Sequence, residues 1–114
     1  MMIEEKIDET LYELGIPLFF IHKPDNYIVD DYLTYNFTMD DYFHSDNRNE
    51  GKRYYITFNY LTTNNKNVLP ISREIEKCLK NNDSFLGVKN RGTKYIKDTK
   101  EFFTVITVYY YEFE

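Results

Sequence analysis

Residues 100–114 read KEFFTVITVYYYEFE, and the fold follows from how that stretch is read. A strand sends successive side chains to opposite faces. One face carries Phe102, Thr104, Ile106, Val108 and Tyr110. The other carries Phe103, Val105, Thr107, Tyr109, Tyr111 and Phe113. Both sets are apolar or aromatic enough to ask for burial. The rest of the chain supplies two helical patterns, so the second face is expected to be covered from outside the chain. That points to an assembly subunit rather than a solitary enzyme.

Working outward, residues 2–14 place Ile3, Ile7, Leu11 and Leu14 at helical spacing. Gly15 is a suitable C-cap, and Pro17 keeps the helix from resuming. Residues 18–22 form a short apolar run expected to be a strand, followed by turn chemistry at 23–26. A second strand is expected over 32–39 and a long polar loop over 40–51. A third strand covers 52–62, with Tyr54, Ile56, Phe58 and Tyr60 on one face. Its other face holds Tyr55, Thr57, Asn59 and Leu61. A helix covers 68–81, with Pro70 harmless in its first turn. A short strand at 85–88 and a basic turn precede the last strand. The order α-β-β-β-α-β-β predicts one α+β domain spanning 1–114, an antiparallel-rich sheet with both helices on one face.

Composition fits a globular chain of 114 residues, 42% hydrophobic and 29% charged. It has 12 Tyr, 9 Phe and no Trp, and Tyr suits half-buried contact surfaces. The single cysteine, Cys78, excludes an internal disulfide and fits a reducing compartment, so a cytoplasmic origin is expected. No apolar run is long enough for a membrane helix. The net charge of −5 conceals an asymmetry. Residues 25–50 hold seven acids and one base, Arg48, whereas 51–100 hold eleven Lys or Arg and four acids. Opposite patches on one molecule suit head-to-tail contact between copies, which closes into a ring when the rotation allows. Solvated patches that serve solubility alone are the competing reading.

Catalytic signals are sparse. His22 and His44 have no metal-ligand spacing, and no serine has a nucleophile-elbow context. Residues 87–94, GVKNRGTK, approach a phosphate loop but exchange its last two positions and precede a strand rather than a helix. Asp41 followed by Glu50-Gly51-Lys52 is similar to the site of metal-dependent nucleases, where carboxylates hold Mg²⁺ and the lysine steadies developing charge. That leaves a small nuclease or nucleic-acid-binding accessory protein as the alternative. Lys89, Arg91, Lys94, Lys97 and Lys100 around Tyr95 could track a phosphate backbone, although the whole chain is acidic.

Taken whole, the chain resembles the tail terminator (tail completion) proteins of long-tailed bacteriophages. The resemblance rests on the N-terminal amphipathic helix, Leu-Gly-Ile-Pro at 14–17, Tyr-Leu-Thr-Tyr at 32–35 and Arg-Tyr-Tyr-Ile-Thr-Phe-Asn-Tyr at 53–60. Arg-Glu-Ile-Glu-Lys-Cys-Leu at 73–79 and Lys-Tyr-Ile-Lys-Asp-Thr at 94–99 complete it. Such proteins usually carry an Asp and a Trp late in the middle strand, where this chain has Asn59 and Leu61. The resemblance implies a viral structural protein without catalytic residues, cofactor or metal. It implies a hexameric ring capping the tail tube at the head-proximal end of the virion, a head–tail connector that docks the head-completion protein. DNA would pass through without specific binding. Tyr55, Tyr109, Tyr111 and Phe113 are expected at subunit contacts. The acidic loop with Asp40, Asp41, Asp46, Arg48 and Glu50 is expected to meet a neighbour or the tail tube.

Overall fold

The computed structural model describes residues 3–45 and 48–113, and side chains within 3–39 and 51–112. Helix α1 spans Ile3–Leu11 and passes into a 3-10 turn, Tyr12–Leu14. Gly15 caps it at φ 66°, donating its N–H to the Tyr12 carbonyl, a left-handed conformation that suits a residue without Cβ. The strands are β1 Leu18–Phe20, β2 Asp31–Ser45, β3 Arg48–Thr62, β4 Phe85–Ile96 and β5 Glu101–Phe113; helix α2, Val68–Lys80, lies between β3 and β4. They form one sheet in the order β1-β2-β3-β5-β4. β1 runs parallel to β2, and the other pairs are antiparallel. The predicted α+β class and element order are therefore observed.

Three boundaries differ from expectation, each for a physical reason. The first strand stops at Phe20 rather than residue 22. Ile21 has φ 71°, and the His22 N–H donates to the Phe20 carbonyl at 2.9 Å. This is a γ-turn, which takes the chain off the sheet. The supposed loop over 40–51 is largely paired strand: Asp40 opposes Arg53, Asp41 opposes Lys52 and Ser45 opposes Arg48. Its polar composition reads as a loop, yet cross-strand hydrogen bonds need no apolar face. The basic turn after residue 88 is likewise strand, since β4 reaches Ile96 as an edge strand with polar exposed side chains. The turn itself is confined to 97–100. At about 3.3 Å per residue, the two 15-residue strands account for most of the 52 Å long axis.

The core lies between the helices and one sheet face. Ile3, Ile7 and Leu11 of α1 and Ile75 and Leu79 of α2 bury against Leu33, Tyr35, Ile56, Phe58, Tyr60, Ile106 and Val108. Cys78 is half-buried at its rim, and burial raises its thiol pKa. Asn82 Nδ2 donates to Thr10 Oγ1 at 3.1 Å, linking the end of α2 to α1. Asp31, at the start of β2, accepts from the Thr62 hydroxyl at the end of β3 and from Asn67 Nδ2 at the entry to α2. One carboxylate thus joins three elements.

Candidate subunit interface

The register defines the second face. Asn36 aligns with Thr57 and Thr107, Thr38 with Tyr55 and Tyr109, and Arg53 with Tyr111. This face divides into two halves. Towards the start of β2, the segment after β1 folds back over it. Phe19 meets Tyr27 and Tyr32 edge-on at 5.1 and 6.3 Å, and Lys23 Nζ stands 5.4 Å from the Tyr32 ring centroid. Tyr32, Thr34 and Leu61 are buried there. Burial, with the Glu101 carboxylate adding to it, pushes the Tyr32 phenol up to about 12.

The other half has no such cover within the described chain. Tyr55 and Tyr109 lie 5.0 Å apart, and Tyr109 and Tyr111 stack at 6.4 Å. The Arg53 guanidinium stands 5.7 Å from the Tyr109 ring centroid, a cation–π distance. Arg91 Nε donates to Thr107 Oγ1 at 3.1 Å, and its Nη2 reaches Tyr55 Oη at 3.5 Å. A hydrogen bond from Thr107 lowers the Tyr55 pKa; burial opposes it, and the Arg91 guanidinium and Lys89 add to the lowering. Gly87 of β4 lies beside this cluster at a positive φ that suits a residue without Cβ. It has φ 67°, and a Cβ there would stand 3.4 Å from the Tyr109 ring. Thr38, Met39, Arg53, Tyr55 and Tyr109 line a shallow depression of about 380 Å³.

Three of the four aromatic residues expected at contacts, Tyr55, Tyr109 and Tyr111, are therefore brought together. The Phe113 side chain lies outside the described residues, though its backbone pairs with Gly51. Asp46 also lies outside them, as do the side chains of Asp40, Asp41, Arg48 and Glu50. The backbone sets Asp41 directly opposite Lys52. Among the described residues, no group of three His, Cys, Asp or Glu is arranged to hold a metal. No described helix is long and apolar enough to cross a membrane. The basic stretch around Tyr95 is split by the pleat. Lys89 and Lys94 align with Thr107 and Phe103 on the aromatic face, whereas Tyr95 aligns with Phe102 on the helix side. The expectations from sequence alone assign neither Arg53 nor Arg91 to this face. Arg53 was legible as the β3 residue two before Tyr55, whereas Arg91 reaches this face through a strand irregularity between Asn90 and Gly92, which spacing alone does not reveal.

In comparisons with known proteins, no family model matches the chain and no curated protein sequence matches it.

Proposed function

We propose that this chain is a structural subunit of a bacteriophage tail, of the terminator type. In this reading copies form a ring, hexameric on the tail, that caps the tail tube and joins it to the head-completion protein at the head-proximal end of the virion. DNA passes through the ring without specific recognition. The observation that carries the reading is the half-face around Tyr55 and Tyr109, which lies on the side of the sheet away from both helices and leaves Tyr109 37% exposed. Aromatic residues and Arg are what protein contact surfaces favour. In this reading the arm formed by the paired ends of β2 and β3, residues 40–45 with 48–53, supplies a second contact to a neighbour or the tube. The purified chain at raised concentration should give ring particles by negative-stain electron microscopy and a sixfold mass by native mass spectrometry. A strictly monomeric protein at all concentrations would overturn the ring.

A second reading is favoured by the register that sets Asp41 opposite Lys52, the pairing a metal-dependent nuclease would use together with Glu50. Mg²⁺-dependent DNA cleavage, lost in Asp41→Asn and Lys52→Ala, would establish it in place of the first.

A further inference from the structure

The geometry points to how copies join: the outer edge of β4 in one copy pairs antiparallel with the bare edge of β2 in the next. This rests on the ring reading above and names its contact. The edge of β2 is occupied by β1 only opposite Leu33–Tyr35. There the Leu33 N–H donates outward to the Pro17 carbonyl, and the Tyr35 carbonyl accepts from the Ile21 N–H, each at 2.8 Å. Strand alternation then aims the backbone N–H and C=O groups of Phe37 and Met39 outward as well. Among the described residues, no strand pairs with them. Edge strands are normally blunted by Pro, Lys, bulges or a covering element. Residues 36–39 carry no Pro, Gly or Lys and no irregularity in their pairing.

Charge selects the partner. The free edge continues into Asp40 and Asp41, and acids on both sides disfavour pairing of β2 with a second β2. β4 holds Lys89, Arg91 and Lys94 and no acid. Direction agrees: β4 runs opposite to β5 and β5 opposite to β3, so β4 runs opposite to β2. A copy set beside its neighbour in the same orientation therefore offers an antiparallel strand. Register narrows the fit further. Within one copy, Lys94 lies level with Tyr32, through Phe103 and Leu61. The neighbour must slide towards the arm to clear β1, and by an even step to keep like faces together. The first such position carries Lys94 to the level of Thr38, beside the depression holding Tyr55 and Tyr109. Sliding between neighbours is the stagger that closing a sheet into a ring requires. β4 pairs without irregularity from Gly92 to Ile96, the stretch that would make the joint.

Met39→Pro tests this, because it removes an outward N–H that the monomer's ladder does not use and adds a ring at the joint. The expected result is a folded monomer with wild-type circular dichroism and at least a tenfold loss of assembly by native mass spectrometry. In a Cys78→Ser background, protein carrying Thr38→Cys mixed with protein carrying Lys94→Cys should give a covalent dimer on mild oxidation, and neither alone should. The double variant should give a ladder. If Met39→Pro fails to fold, the cysteine pair decides. Rings from Met39→Pro at wild-type yield, or rings whose cysteines stay unlinked, would overturn edge pairing and leave the ring reading standing. A wild-type chain that never assembles would overturn both.

Discussion

The two faces of the sheet use similar residues to opposite ends. On the helix side, Tyr54, Tyr60 and Tyr110 are buried at 7%, 0% and 7% exposure. Across the pleat, Tyr109 is 37% exposed beside Tyr55 and Arg53. Residue type does not separate them. What separates them is whether a helix lies above, and α1 and α2 both lie on the same side. An aromatic strand face therefore reports a demand for burial without saying which molecule meets it.

The largest expected effect lies on the covered side. Phe58 is fully buried at the centre of that face, and Phe58→Ala should cost about 3–5 kcal/mol, as large-to-small core changes do. Urea unfolding measures it; a loss below about 1 kcal/mol would mean the helices do not seal this face. Tyr109→Ala should behave in the reverse way. Its stability should stay within about 1 kcal/mol of wild type, as for a partly exposed site, whereas assembly should weaken by about tenfold or more, as removal of an aromatic contact anchor does. Equal effects of the two substitutions on folding would erase the distinction between the faces.

A smaller effect sharpens the comparison through pH. Burial first, with the Asp31 carboxylate adding to it, pushes the Tyr60 phenol up to about 12; Tyr32 reaches a similar value at the covered end of the other face. Folding holds these phenols neutral. Their contribution is fully present below the ordinary tyrosine pKa of 10.0 and is lost as pH rises through about 12. Stability should therefore fall across that window, with a shallower fall in Tyr60→Phe, which removes one of the two raised phenols. Denaturant midpoints between pH 9 and 12 measure both, the interval bracketing the cited values. An unchanged slope in Tyr60→Phe would remove that residue from the account.

Much of the fold was legible from periodicity. The stripe Ile3, Ile7, Leu11 and the alternation Tyr54, Ile56, Phe58, Tyr60 identify the faces that become the core. What was not legible was pairing without an apolar period. Residues 40–45 and 89–96 look like loop and turn because their side chains carry no apolar period, yet their backbones sit in ladders. The candidate site was half legible for the same reason. Tyr55, Tyr109 and Tyr111 follow from alternation, whereas Arg91 arrives through a bulge and the cover over Tyr32 comes from a fold-back at residue 21. Neither leaves a repeating mark in the chain.

That fold-back has a consequence of its own. Ile21 is a β-branched residue held at positive φ in this γ-turn, a strained conformation costing about 1–3 kcal/mol, and its side chain is 58% exposed. Ile21→Gly should thus raise the melting temperature by a few degrees, the gain limited by the extra freedom glycine has when unfolded. The isoleucine is a built-in full stop: by ending β1 after three residues, it determines how much of the neighbouring strand is left to be read by another molecule.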